Sequence, residues 1–194
     1  MKRIIVYLLL LLFSTSLYAQ NTDINLLKRI NLDRNRSLDH TFILITDSAI
    51  PMSAFAPILV YGVGLLKKDN ALKQKGKSMI GTFIIASAFA TTLKYTINRD
   101  RPFITYPFIE KVSSANGSSF PSRHTSIAFA TATSLSMAFP KWYVIAPSFI
   151  WAGAVGYSRM DLGVHYPTDV LAGALLGSGS AFLSHKLNKW FQRR

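Results

Sequence analysis

Residues 67–94 read KKDNALKQKGKSMIGTFIIASAFATTLK, and the contrast between the two halves of this stretch decides the fold. Five lysines fall within 67–77; residues 78–93 then carry no charge, and Lys94 ends the run. A lysine cluster followed by an uninterrupted apolar run is how a membrane span meets its cytoplasmic loop. Sixteen uncharged residues lie at the lower edge of bilayer length, so for this stretch alone the competing assignment is a strongly apolar core helix of a soluble bundle.

Working outward, similar apolar stretches occur at about 50–66, 124–139, 142–157 and 169–185. The charges between them separate the two assignments, because a soluble bundle has no reason to sort Lys and Arg by alternate loops. With the N-terminus inside, segments 1–3, 67–77, 140–141 and 185–194 hold twelve Lys or Arg against one acid, Asp69, and the rest of the chain holds ten against eight. That asymmetry follows the positive-inside rule and puts residues 94–123 and 158–169 together on the outer face. Composition agrees: 49% of residues are hydrophobic and only 16% charged, against roughly 25% in soluble domains.

Residues 1–19 carry a basic start at Lys2 and Arg3, an apolar run from Ile4 to Phe13 and a small-residue exit at Ala19. This predicts a secretory signal cleaved after Ala19, with an uncleaved anchor helix as the alternative. Residues 20–49 mix Leu26, Leu27, Ile30 and Leu32 with charges, predicting an amphipathic periplasmic segment without chemistry of its own. Residues 50–194 then form the functional domain. The expected fold is all-α: a membrane-embedded helical bundle with five spans after signal removal, or six if that segment is retained.

A net charge of +13 raises nucleic acid as a partner, but the cations sit in short inter-span runs and no recognition motif is present, so none is expected. The absence of cysteine excludes thiol nucleophiles and disulfide frameworks.

Chemistry-bearing residues concentrate in the outer loops. Lys94 and Arg101 are seven residues apart, about two helical turns, so a continuing helix would project both from one face before Pro102 ends it. A guanidinium fork and an ammonium point charge together suit a phosphate, although a snorkelling Lys and a solvated Arg have the same spacing. Ser122 reads as the N-cap of the next helix, whose free N–H groups form an anion site beside His124; a capped helix whose histidine merely meets water is the alternative. Pro167 reads as the first residue of the last helix, leaving Asp169 one turn from His165. A carboxylate bonded to one ring nitrogen makes the other a better nucleophile or base, whereas two residues capping the helix would need no such role. Arg159 supplies a third cation.

In order and spacing, Lys94 to Arg101-Pro102, Pro121-Ser122-Arg123-His124, and Ser158-Arg159 to His165 to Asp169 resemble the signature of the type 2 phosphatidic acid phosphatase superfamily. That superfamily also includes bacterial acid phosphatases and vanadium haloperoxidases. The resemblance covers about residues 78–185, and Gly163 to Gly173 is similar to the membrane-bound branch. It implies a helical bundle with its active site at the periplasmic helix ends. It implies further that His165 attacks phosphorus, Asp169 orients it, His124 protonates the leaving oxygen, and Lys94, Arg101, Ser122, Arg123 and Arg159 bind the phosphate. It implies neither metal nor other cofactor. The substrate expected is a lipid-linked phosphomonoester or diphosphate, such as undecaprenyl diphosphate, phosphatidylglycerophosphate, phosphatidate or a lipid A phosphate, in a bacterial inner membrane and with no protein partner. A soluble acid phosphatase acting on small esters is the alternative, and a vanadium haloperoxidase a more distant one. The family's usual Gly is replaced by Arg123, which keeps the backbone N–H but narrows the approach and adds a cation for a second phosphate or an acidic headgroup.

Overall fold

A computed structural model describes residues 22–192. Among them there are helices and turns and no strand. Helix α1 covers 22–32, and a short 3-10 turn, Arg36–Leu38, leads into α2, Asp39–Asp47. Helices α3 (Ala49–Leu66), α4 (Asn70–Ile97), α6 (Arg123–Ala138), α7 (Trp142–Asp161) and α8 (Pro167–Gln192) follow the five apolar stretches, and α5 (Pro102–Thr105) is a single turn in the long loop between α4 and α6. The expected signal or anchor at 1–19 lies outside the described residues.

Helix boundaries follow local chemistry. Asp69 caps α4 by accepting from the Leu72 N–H at 3.0 Å, and Ser122 caps α6 by accepting from Thr125 N–H, as its position predicts. The helix carrying Lys94 ends earlier than expected. It stops at Ile97 because Asn98 takes a left-handed conformation, φ 44°, and Pro102 starts α5 where it was expected to end α4. Lys94 and Arg101 are therefore brought together by a turn, not by one continuous helical face.

α6 is the central helix and packs against α3, α4, α7 and α8. Its buried positions are almost all small: Thr125, Ser126, Ala128, Ala130, Thr131, Ala132, Thr133 and Ser134 around a single large residue, Ile127. Several of its hydroxyls bond within the helix, for example Thr131 Oγ1 to the Ile127 carbonyl at 2.8 Å and Ser136 Oγ to the Ala132 carbonyl at 2.8 Å, while Thr133 Oγ1 donates to Ser178 Oγ of α8 at 3.2 Å. α8 meets this surface through Gly173 and Gly177; a Cβ at 173 would lie 2.7 Å from the Ser122 carbonyl oxygen, and one at 177 would come closer still to that of Ser126. Two glycines four residues apart let helix backbones touch, which is how helices associate when burial of large side chains is not the driving force.

The large side chains point outward. Phe55 and Ile58 on α3, Ile84 and Phe89 on α4, Ile150 on α7 and Leu171, Leu175 and Phe182 on α8 are exposed, Ile150 to 72%. The molecule thus reverses the usual arrangement, with small polar residues inside and large apolar ones outside. Among the described residues two helical segments, Arg36–Leu66 and Asn70–Thr105, are long and apolar enough individually to cross a bilayer; α6, α7 and α8 are not.

One end of the bundle is closed by Ser184 Oγ donating to the Ser78 carbonyl at 2.7 Å and by Lys75 lying 4.7 Å from the Phe139 ring centroid. The loops 98–122 and 162–166 meet at the other end, where α1 covers them. Leu27 of α1 packs with Ile109 and Tyr166, and Asn31 accepts from the Glu110 N–H at 2.8 Å while donating to the Asp161 carbonyl at 2.8 Å.

Candidate active site

Three helix ends and two loops converge on one cavity of about 300 Å³, lined by Lys94, Arg101, Arg123, His124, Arg159 and His165 together with residues 114–116. Lys94 comes from the last turn of α4, His124 from the first turn of α6 and Arg159 from the last turn of α7. His165 arrives by a sharp loop. Gly163, at φ 71°, packs so closely on the Glu110 carbonyl that a side chain would not fit, and the N–H groups of Val164 and His165 both donate to the Arg159 carbonyl at 3.1 Å. That turn holds Arg159 and His165 side by side.

The cations are fixed mainly by neutral groups. Arg101, 5% exposed, donates to the carbonyls of Asn116 at 2.9 Å, Gly117 at 2.9 Å and Val164 at 2.8 Å. Lys94 Nζ donates to the Ser118 carbonyl at 2.5 Å. Arg159, 2% exposed, donates to Thr46 Oγ1 at 2.8 Å, and its Nε is buried without a protein partner. Among the described residues no carboxylate pairs with any of these three, so the cavity wall keeps a positive charge that suits an anion.

His165 is 2% exposed, with Nε2 3.3 Å from Arg101 Nη1 and Nδ1 3.4 Å from Asp169 Oδ2. The first contact makes Nε2 the acceptor and leaves the proton on Nδ1, facing the carboxylate. The second is a charge contact too long and poorly directed to be a full hydrogen bond, so Nδ1 lacks a formal partner. Burial, opposed by Asp169 and reinforced by Arg159 and Arg101, lowers the His165 pKa to about 3. The ring is thus neutral near pH 7, with its Nε2 lone pair directed at Arg101.

Asp169 is completely buried behind His165 and does not line the cavity. Oδ2 accepts from Ser119 Oγ and from the Tyr166 N–H at 2.9 Å, and Oδ1 accepts from Arg99 Nη1 at 2.7 Å. Ser122 is also wholly buried, its hydroxyl 2.8 Å from Thr125 Oγ1. Its side chain does not line the cavity; its place is that of a cap, with the Ser122 N–H donating to the Asp169 carbonyl at 3.0 Å. Arg123 is exposed at the cavity rim.

Reading the sequence alone left Arg99, Ser119 and Asp23 without roles. Arg99 Nη2 lies 2.7 Å from Asp23 Oδ2, and Asp23 also accepts from the Thr168 N–H at 2.9 Å and Thr168 Oγ1 at 2.6 Å. The available signal was the i, i+4, i+8 stripe Asp23, Leu27, Asn31, one buried face of α1 that is polar at both ends. A larger groove of about 630 Å³ lies against α7 and α8, lined by Phe129, Gly153, Gly156, Val170, Leu171 and other mostly apolar residues. It shares no residue with the cationic cavity, and among its lining residues there is one carboxylate, Asp23, one phenol, Tyr157, and no histidine or cation.

An imidazole whose unprotonated Nε2 meets Arg101, a second imidazole and three uncompensated cations around a volume suited to a tetrahedral anion define the machinery of a phosphoric ester hydrolase. A family model described as PAP2 superfamily matches residues 76–193, and the chain belongs to that superfamily. An undecaprenyl-diphosphatase from Sulfolobus acidocaldarius is 31% identical, over 95% of this chain and 91% of that protein. Two crystal structures are similar. LpxE from Aquifex aeolicus has a TM-score of 0.72 at 29% identity, covering 85% of this chain and 95% of its own. A transmembrane PAP2-type phosphatidylglycerolphosphate phosphatase from Bacillus subtilis has 0.73 at 26%, covering 94% of each.

Proposed function

We propose that this enzyme hydrolyses a phosphomonoester or diphosphate carried by a membrane lipid, through a phosphohistidine on His165. The observation that carries the reading is the meeting of Lys94, Arg101, Arg159, His124 and His165 on a single cavity. His165 Nε2 attacks phosphorus, the bond to the lipid oxygen breaks, and His124 gives that oxygen a proton. Water then attacks the phosphohistidine, returning a proton to His124 and freeing Nε2. The three cations hold the equatorial oxygens as charge spreads over them, and the exposed Arg123 takes a second phosphate or acidic headgroup.

The protein resides in a membrane as five spans, α3, α4, α6, α7 and α8, with residues 50–194 as the catalytic domain and the cavity facing the periplasm of a bacterial inner membrane. Support comes from the outward large side chains, from Tyr95 and Tyr157 near one end and Trp142 and Trp190 near the other, and from lysines gathered in 67–77 and beyond His185, away from the cavity. A lipid substrate reaches such a site from the bilayer surface, with no nucleic acid or protein partner needed.

The test is phosphate release by the detergent-purified protein from undecaprenyl diphosphate, phosphatidylglycerophosphate, phosphatidate and lipid A. Turnover of at least one is expected, with none by His165→Ala. Activity confined to small soluble esters, or a protein extracted without detergent, defeats the reading.

A further inference from the structure

We propose that Arg99 is a positioning residue, anchored by Asp23 of α1, that locks the Asp169 carboxylate behind His165 and so sets the direction of the His165 Nε2 lone pair. The inference rests on His165 being the nucleophile, as proposed above.

The geometry has three parts. Arg99 spans two carboxylates, 2.7 Å from Asp169 Oδ1 and 2.7 Å from Asp23 Oδ2, and its Nη1 also donates to Thr168 Oγ1 at 2.8 Å. Its guanidinium carbon sits 3.8 Å from the Tyr166 ring centroid, so stacking fixes the plane of the fork. Asp23, 4% exposed, accepts from both the N–H and the hydroxyl of Thr168 and therefore caps the first turn of α8 from another helix.

These contacts leave Asp169 no freedom. Ser119 and the Tyr166 N–H hold Oδ2, and Arg99 holds Oδ1. Removing the guanidinium would leave a fully buried carboxylate oxygen with no donor and no cation paired to it, which the chain relieves by rotating or protonating the carboxyl. Either response disturbs the oxygen 3.4 Å from His165 Nδ1. The reacting nitrogen would then lose its orientation while the cavity wall, built from Lys94, Arg101 and Arg159, stayed in place. α1 thereby becomes part of the catalytic assembly, because the other end of Arg99 is tied to it.

The test measures kcat and KM for purified full-length Arg99→Ala, Arg99→Lys and Asp23→Asn on the lipid the wild type hydrolyses fastest, with vanadate inhibition as a probe of the cavity. Arg99→Ala should lose about 10- to 100-fold in kcat, by analogy with loss of an outer partner that holds a functional histidine through another group, with KM and vanadate inhibition held within about twofold. Arg99→Lys should recover part of the loss, since an ammonium serves one carboxylate and not two, and millimolar guanidinium should raise the rate of Arg99→Ala. Asp23→Asn should cost less than Arg99→Ala, in the same sense. In an Asp169→Asn background, Arg99→Ala should add less than about threefold, since both act on one contact.

An unchanged kcat in Arg99→Ala overturns the proposal, as does a raised KM with weakened vanadate inhibition, which would make Arg99 a substrate-binding cation. Equal loss in Arg99→Ala and Arg99→Lys with vanadate binding abolished also overturns it, as a folding effect. A wild type inactive on every lipid, or an active His165→Ala, instead removes the phosphohistidine reading on which the inference stands.

Discussion

Arg99 and Arg101 are two residues apart in one loop and have opposite surroundings. Arg99 is neutralised by two carboxylates, Asp23 and Asp169, while Arg101 is held by three backbone carbonyls and faces His165 with no acid beside it. The first arrangement spends its charge inside the protein, so it fixes geometry. The second leaves the charge for a ligand, and the carbonyls orient the fork without cancelling it. In the proposed mechanism the wall in front of His165 attracts an anion, and the wall behind it carries the carboxylate that stabilises the imidazole as charge develops on it.

The largest effect expected at this divide is at His165 itself. His165→Ala should reduce turnover by ~10³-fold or more, because the nucleophile and its oriented proton are lost together. Phosphate release in detergent measures it, and turnover within tenfold of wild type would mean that the two walls enclose something other than a nucleophile. Next comes the fork. Arg101→Lys keeps the charge but loses the three-carbonyl clamp, and a loss of ~10²-fold in kcat/KM is expected, with weaker vanadate inhibition. If Arg99→Lys weakened vanadate inhibition equally, the distinction between the two arginines would collapse.

How much of this was legible in the sequence follows the same divide. Lys94, Arg101, His124, Arg159 and His165 were all readable, because the three segments that carry them match one family signature in order and spacing, although each segment alone admits a structural explanation. Arg99 was not, because a paired arginine and a solvated one look alike until its partner is known, and Asp23 lies 76 residues away on a helix. The five long helices were visible from apolar runs between charged turns. The end of α4 was misread because the left-handed Asn98 leaves no signal comparable to Pro102. The packing of α6 was also hidden, since its inward face of Ser, Thr and Ala does not look like a core until Gly173 and Gly177 bring α8 against it.

Arg123 tests whether an exposed cation at the rim behaves like the front wall. It has neither the carboxylates of Arg99 nor the carbonyl clamp of Arg101, so its contribution is electrostatic and screened. Arg123→Gly should leave hydrolysis of a lipid monophosphate within about threefold and lower kcat/KM for a diphosphate by about tenfold, roughly the effect of one partly exposed charge-assisted contact. Equal effects on both substrates, or on neither, would remove Arg123 from substrate selection.

The smallest effect expected concerns the cost of keeping His165 neutral between the two walls. In the folded protein its pKa is lowered to about 3, by burial first and by Arg159 and Arg101 besides, whereas an unfolded histidine titrates near its ordinary value of 6.5. Above that value both states are neutral and pH has no leverage through this residue. Between about 6.5 and 3 the unfolded chain takes up a proton that the folded protein refuses, so stability falls as the pH is lowered. Thermal unfolding in detergent at pH 7.5 and pH 4.5 should therefore show a larger drop for wild type than for His165→Gln, which cannot bind that proton. Inorganic phosphate should reduce the wild-type drop, because an anion in the cavity offsets Arg101 and Arg159 and makes an imidazolium less unfavourable. Parallel pH dependences for the two proteins would show that the front wall does not repel a proton from His165, and the contrast drawn between Arg99 and Arg101 would lose its electrostatic basis.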